Sequence, residues 1–179
     1  MEWNPFTHGA TTYDLAHLHN LEFDLVQPAR KDKPERIYPI TVEFSLHCFA
    51  KTTKAGDDPS LAYSDSRETR TFCFERYALS HQLPAIMRSL DARICRHTRH
   101  GNFVTIDLTL QSGEHVEYEV YFAPSKTTAD GKKRIKLYVQ SAYVRDEESA
   151  DYRPRPVNSR KIKIHTIAHN TLHNKPIKN

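Results

Sequence analysis

The 179-residue chain lacks several features that define familiar protein classes. No stretch approaches the roughly 20 apolar residues that a membrane helix needs. The first twenty residues, MEWNPFTHGATTYDLAHLHN, have neither the cationic start nor the apolar segment of a signal peptide. These absences predict a cytoplasmic protein that does not insert into a membrane.

Cysteine is also scarce, with only Cys48, Cys73 and Cys95, and no two of them form a CxxC pair. Each lies within an apolar pattern, which favours buried, reduced thiols over disulfides or a zinc site. The eleven histidines include no HExxH motif, and the groups they form lack matching Cys or carboxylate ligands. We therefore expect no bound metal and no other cofactor.

The five glycines are dispersed, and they form neither GxGxxG nor GxxxxGK[ST]. A GxSxG elbow is absent as well, so the sequence gives no signal for a dinucleotide fold, a phosphate loop or a serine hydrolase. Cys48 adjoins His47, but neighbouring side chains of a strand point to opposite faces, which argues against a thiol nucleophile there.

Positive charge is concentrated at the end of the sequence. Residues 151–179 contain seven Lys or Arg against one Asp, whereas the first 150 residues contain 19 basic and 21 acidic residues. This asymmetry favours a contact between the tail and phosphate groups, with a merely solvated tail as the alternative.

Hydrophobic periodicity predicts an α+β fold. Alternation predicts a long strand over 36–49, a second strand near 69–76, and a three-stranded antiparallel meander over residues 103–144. A three-to-four spacing of apolar residues predicts a helix over about 80–93, and KIKIHTIAHN predicts an added strand over 161–169.

These elements predict one α+β domain over residues 1–150, in which 1–35 are partly irregular, followed by a basic extension over 151–179. We expect an antiparallel sheet of about five or six strands with one main helix packed on one face.

Metal-free RNA cleavage needs a base, an acid and cations around the phosphate, all of which this sequence contains. Alternation along strand 134–144 places Arg134 and Lys136 on one face. His47, on the polar face of strand 36–49, and His97, in a basic turn, can transfer protons near neutral pH. The predicted catalytic residues are therefore His47, His97, Lys136 and Arg134, and ordinary solvent-facing roles are the alternative for each.

A second set of cations is predicted to bind nucleic acid. Its members lie in the loop before strand 134–144, at the end of that strand, in the turn near residue 97, and in the tail. They are Lys126, Lys132, Lys133, Arg145, Arg96, Arg99, Lys161 and Lys163.

The order of one helix followed by a meander, closed by the strand RIKLYVQSAYVRD, resembles the barnase, EndoU, colicin and RelE-like ribonucleases. The resemblance covers residues 79–145 and implies metal-independent RNA cleavage. It implies phosphate contacts by Lys126, Arg134, Lys136, Tyr143 or Arg145, and proton transfer by His47 or His97. A regular strand places Tyr143 and Lys136 on opposite faces, so both can line one site only if the strand has a bulge.

Three functions remain open at this stage. The first is a small metal-independent endoribonuclease of the toxin or phage-defence type, with RNA as substrate, DNA as the alternative, and an antitoxin or other protein as partner. The second is a non-catalytic module that binds RNA, DNA or protein, in which Tyr, Phe and Arg side chains stack on bases and contact phosphates. The third is a phage or prophage accessory structural protein.

Overall fold

A computed structural model describes residues 2–31, 33–98, 102–111, 114–129, 131–144 and 160–177. The predicted domain boundary at residue 150 lies outside these residues. The described strands are β1 Phe6–His8, β2 Thr11–Tyr13, β3 Leu21–Gln27, β4 Arg36–Phe44, β5 Ala50–Lys51, β6 Ala62–Ser64, β7 Thr69–Phe72, β8 Cys95–His97, β9 Phe103–Gln111, β10 Glu114–Ala129, β11 Lys132–Val144 and β12 Lys161–Ile162. The helices are α1 Phe74–Ser80, α2 Leu83–Arg88 and α3 Ile164–Leu172.

The main sheet has seven strands in the order β12-β8-β9-β10-β11-β4-β3. The predicted meander of β9, β10 and β11 is confirmed, and its pairs are antiparallel. The prediction of a wholly antiparallel sheet is wrong, because β4 pairs with β11 in parallel, with Ile40 beside Ile135 and Phe44 beside Val139. Alternation fixes which side chains face the core, but it does not fix the direction of a neighbour that is distant in sequence.

The first predicted strand, 36–49, ends at Phe44. Ser45 then accepts a hydrogen bond from the His47 backbone N–H and caps a short 3-10 turn, Leu46–Cys48. His47 therefore lies on a turn and not on the polar face of a strand. The second predicted strand, 69–76, ends at Phe72, and α1 follows after one residue.

The predicted helix over 80–93 is two shorter helices, α1 and α2. Pro84 lies in the first turn of α2. Because proline has no N–H to donate to the carbonyl four residues earlier, α1 cannot continue through it. The apolar spacing is confirmed for Leu83, Ile86, Met87 and Leu90, which are buried, but not for Ile94, which is exposed.

The predicted tail strand over 161–169 is also mostly wrong. β12 spans only two residues, and α3 begins at Ile164. Ile164, Ile167 and Ala168 are buried, a spacing that a helix satisfies and a strand does not. Core packing of this apolar stripe outweighs the strand propensity of the β-branched residues.

One hydrophobic core lies on the inner face of the sheet. Tyr38, Ile40, Val42 and Phe44 of β4 face it together with alternate residues of β11. α3 packs against β10 and β11, so the tail contributes to the same core. Two smaller sheets, β1-β2 and β5-β7-β6, complete the fold.

All three cysteines are free, as predicted. Cys48 and Cys95 are buried and Cys73 is half-buried. Burial raises the pKa of Cys48 and of Cys95 to about 12, so both thiols stay protonated and unreactive near neutral pH.

Candidate nucleic-acid interface

The parallel pairing of β4 with β11 brings two basic loops to one end of the main sheet. In a parallel pair both strands start at the same end. The loop before β4, with the first residue of that strand, has the sequence PARKDKPER, and the tip of the β10–β11 hairpin, which includes the ends of both strands, has the sequence SKTTADGKK. The parallel register runs from the Ile40–Ile135 pair to the Phe44–Val139 pair, so the residues that precede Ile40 and those that precede Ile135 lie at the same end of the sheet.

We call this region the basic end and define it by its seven cations. All seven side chains are exposed, and they are Arg30, Lys31, Lys33, Arg36, Lys126, Lys132 and Lys133. Among the described residues, none of the seven forms an ion pair with a carboxylate. The two loops contain three acidic residues, so the excess of positive charge here equals the net +4 of the whole chain.

Local backbone structure places Lys31 and Lys132 at two tight turns. Arg30 and Lys33 exchange backbone hydrogen bonds of 2.9 and 2.8 Å, which closes a tight turn. Lys31, inside this turn, has a φ of 45°, a left-handed conformation that costs a non-glycine residue on the order of 1 kcal/mol. At the other tip, Gly131 supplies the positive φ of 72° just before Lys132.

Helix α3 supports the basic end from the inner face of the sheet. Arg36 donates to Nδ1 of His169 over 3.2 Å, and the Tyr38 hydroxyl lies 3.5 Å from the same nitrogen. The pKa of His169 is lowered by partial burial and by the charges of His173, Lys175 and Arg36, so the imidazole stays neutral and accepts from Arg36.

The two cations predicted to be catalytic are already paired. Arg134 donates to Glu22 over 2.8 Å, and the Lys136 ammonium lies 3.3 Å from the Glu43 carboxylate. Glu43 comes from β4, which pairs with β11, and Glu22 comes from β3, the next strand beyond β4, an arrangement that the sequence pattern did not reveal. A paired cation has less charge to offer a phosphate than an unpaired one.

His47 lies beyond the other end of β4. Its Nε2 is 2.7 Å from Glu68 Oε1, and Arg70 Nε donates to the second Glu68 oxygen over 2.8 Å. Hydrogen bonds from His47 and Arg70 lower the pKa of Glu68, so its carboxylate is ionised near neutral pH. Sequence reasoning missed Glu68 and Arg70, because 21 residues separate Glu68 from His47.

Arg76 of α1 joins this cluster to the outer face of the sheet. Its guanidinium donates to the carbonyls of His47 and Ala50 and lies 5.4 Å from the Tyr143 ring centroid. Tyr143 stacks on Tyr121 at 5.6 Å. A bulge between Tyr121 and Phe122 in the β10–β11 register brings Tyr143 to the same face as Lys136, as the sequence argument required.

His97 does not join His47. It lies on β8, with 8% of its surface exposed and its ring 4.6 Å from that of Phe103. Its Nε2 is buried and has no hydrogen-bond partner within the described ranges. Burial, and to a lesser extent the charge of Arg160, lower the pKa of His97. A buried imidazole does not face solvent, so the structure does not support proton transfer by His97 to a bound RNA.

The other predicted binding residues fall into three groups: one at the basic end, one near β8 and β12, and one outside the described residues. Lys126, Lys132 and Lys133 are at the basic end. Arg96 and Lys161 lie opposite each other on β8 and β12, with Lys163 beside them. Arg99 and Arg145 lie outside the described residues. The basic composition of their segment was a signal for Arg30, Lys31, Lys33 and Arg36, but the sequence did not show that they share one end of the sheet with Lys132.

Within the part of the chain that the structure describes, no group of three or more His, Cys, Asp or Glu side chains could hold a metal ion. No described helix is both long and apolar enough to cross a membrane.

Comparison with known proteins places the chain in a family. The model of the YjaZ family matches residues 5–172. Protein YjaZ of Escherichia coli (strain K12) is 30% identical over 181 residues, which covers 98% of this chain and 94% of that protein. No solved structure matches the chain significantly. Neither match is to the ribonucleases that the closing strand resembles.

Proposed function

We propose that this chain, which belongs to the YjaZ family, is a nucleic-acid-binding protein whose basic end contacts the phosphate backbone of RNA. The observation that carries the proposal is the placement of two basic segments at one end of the sheet, which follows from the parallel pairing of β4 and β11.

The state of these cations supports the proposal. Lysines and arginines that neutralise phosphates release condensed counterions, and this release drives sequence-independent binding. The seven cations of the basic end are exposed and have no carboxylate partner among the described residues, so within this part of the chain binding breaks no ion pair. Arg134 and Lys136, by contrast, would first have to leave Glu22 and Glu43.

Single-stranded RNA is the form of nucleic acid that the outer face favours. Tyr138 lies six residues along β11 from Lys132, about 20 Å at the usual rise per residue. Tyr138 and the stacked pair of Tyr121 and Tyr143 are half-buried on this face. Unpaired bases can stack on tyrosine rings, whereas bases within a duplex cannot.

The proposal is tested by fluorescence anisotropy with a labelled 20-nucleotide single-stranded RNA, beside single-stranded and duplex DNA of the same sequence. We expect Lys31→Gln/Lys33→Gln and Lys132→Gln/Lys133→Gln each to weaken binding about tenfold, and the fourfold variant to weaken it further. The matched control is Lys51→Gln/Lys54→Gln, which removes the same charge from another region.

Control affinity should stay within about twofold of the wild type, because the Lys51 ammonium is paired with Asp57 and lies away from the basic end. An equal loss of affinity in the control variant would mean that binding depends only on the net charge of the chain, which would contradict the proposal. Absence of RNA binding by the wild-type chain at low salt would also contradict it.

A metal-independent endoribonuclease is a second candidate, favoured by the hydrogen bond between His47 and Glu68. An imidazole that donates from Nε2 to a carboxylate presents its Nδ1 lone pair as a proton acceptor, which is the arrangement of an oriented general base. An antitoxin partner belongs to this candidate only.

Incubation of labelled RNA with the chain in EDTA tests this second candidate. Cleavage by the wild type that is abolished in His47→Ala and reduced in Glu68→Gln would support it. Intact RNA, or cleavage that persists in His47→Ala, would count against a catalytic His47.

A further inference from the structure

A groove of about 390 Å³ lies at the far edge of the main sheet, between β12, α3 and the segment that follows α3. The Asn170 side-chain amide donates to the Pro176 carbonyl over 3.2 Å, and the Lys175 backbone N–H donates to the Asn170 carbonyl over 2.8 Å. These bonds hold the segment after α3 against the helix, so the groove has walls formed by the chain itself.

One wall of the groove is cationic. Arg160, Lys161 and Lys163 line it, and none of the lining residues that the structure describes is acidic. Lys161 and Lys163 form no ion pair with any residue in the described ranges. The wall therefore carries three like charges within four residues.

The pairing of β12 with β8 adds a fourth cation beside this wall. Lys161 lies directly opposite Arg96 in the antiparallel register. Like charges opposite each other on neighbouring strands destabilise a sheet. The positive charge of Lys163 also acts on the buried Cys95 thiol. Burial raises the pKa of this thiol, and the charge of Lys163 partly offsets that rise. Four cations therefore lie close together at this edge of the sheet.

The remaining surface of the groove differs in chemistry. Ile162 and Ile177 are half-buried there, and the Thr166 hydroxyl can donate a hydrogen bond. The volume falls within the range of small-molecule sites in proteins. A ligand with a phosphate at one end and an apolar ring at the other would match both walls.

We propose that this groove binds a small phosphorylated molecule, with its phosphate on Lys161 and Lys163 and its apolar part on Ile162 and Ile177. The site differs from the basic end in the cations that form it, and α3 contacts both regions, since Asn170 lines the groove and the preceding His169 accepts a hydrogen bond from Arg36. It does not rest on the RNA-binding proposal.

The test is titration of the 15N-labelled full chain with adenosine 5′-monophosphate, inorganic phosphate and adenosine, followed by NMR. We expect the nucleotide to shift the amides of residues 160–166 and 177, inorganic phosphate to bind more weakly, and adenosine to leave these signals unchanged. Lys161→Gln/Lys163→Gln should weaken nucleotide binding about tenfold, a loss typical of two charged contacts that are partly screened by water.

Lys132→Gln/Lys133→Gln is the matched control and should leave nucleotide binding unchanged, which separates failure of this site from failure of the basic end. Both lysine pairs are exposed, so either variant should fold. No shift at 10 mM nucleotide, on the order of the weakest small-ligand affinities, would overturn the proposal. Shifts confined to the basic end would overturn it too, and equal affinity for inorganic phosphate would overturn the role of the apolar wall.

Discussion

The two ends of β4 arrange their cations in opposite ways. At its start, Arg36 belongs to a group of seven exposed cations without carboxylate partners among the described residues. Beyond its end, Arg67, Arg70 and Arg76 are held by Asp65, by Glu68 and by backbone carbonyls. The two ends lie about 26 Å apart, from the eight residue steps between Arg36 and Phe44. The number of cations is therefore a weaker guide to a phosphate site than the number left unpaired.

The first prediction uses β4 itself, whose two ends differ in burial. Phe44 is fully buried where β4 meets Val139, whereas Ile37, at the other end, is 53% exposed. Phe44→Ala should lower the free energy of unfolding by about 3–5 kcal/mol, because it removes buried surface and leaves a cavity. Urea denaturation measures this loss. Ile37→Ala should change the same quantity by about 0.5 kcal/mol or less, and similar losses in both variants would argue against the burial described here.

The second prediction separates the two ends by the salt dependence of RNA binding. The slope of log K against log salt should fall by about 1.4 in Lys132→Gln/Lys133→Gln, since each lost contact with a single strand contributes about 0.7. His47→Ala should keep the wild-type slope, because its imidazole lies at the opposite end and faces Glu68. A reduced slope in His47→Ala would mean that RNA contacts the His47 end of β4, which would contradict binding at the basic end.

The third prediction concerns His17, which stacks on His81 at 3.8 Å, away from the basic end. Partial burial, with the charge of His81, lowers the pKa of His17 from 6.5 to about 4. Between about pH 6.5 and pH 4 the unfolded chain binds a proton that the folded chain does not, so the free energy of unfolding falls as the pH falls. Allowing for the partial exposure of His17, we expect a loss on the order of 1 kcal/mol.

Urea denaturation at pH 7.5 and pH 5 measures this effect. In His17→Gln the fall in the free energy of unfolding between the two pH values should be smaller than in the wild type. An identical fall in both proteins would assign the pH dependence to other groups. RNA binding should respond to His17→Gln by less than about twofold, because the residue lies outside the proposed interface.

The smallest expected effect is that of a paired cation on the same strand as the basic end. Lys136→Met should weaken RNA binding by less than about twofold, since Glu43 already neutralises the Lys136 ammonium. Fluorescence anisotropy measures the RNA affinity of Lys136→Met and of Lys132→Gln, two variants of the same strand. A larger loss in Lys136→Met than in Lys132→Gln would mean that pairing does not decide which cations bind phosphate.

Much of the local structure could be predicted from the sequence. Alternation located β4, β9 and β11, and the three-to-four spacing located the buried residues Leu83, Ile86 and Met87. The element boundaries were less predictable. Pro84 divides the expected helix, Ser45 ends the expected strand in a 3-10 turn, and the core favours a helix at Ile164. Each of these outcomes depends on capping or packing that competes with periodicity.

The candidate sites were predictable only in part. Lys126, Lys132 and Lys133 stood out in one basic loop, and Arg96, Lys161 and Lys163 stood out in two further basic segments. The paired states of Arg134 and Lys136 were not predictable, because their partners Glu22 and Glu43 come from strands about 90 residues or more away in the sequence.

The sequence by itself determined the α+β composition, the reduced state of the thiols and the cations available for binding. Only the tertiary structure decided that β4 runs parallel to β11, which places Arg30, Lys31, Lys33 and Arg36 at the same end of the sheet as Lys132 and Lys133. The physical reason is that side-chain alternation specifies a buried face, while the direction and neighbour of a strand depend on how distant faces pack into one core.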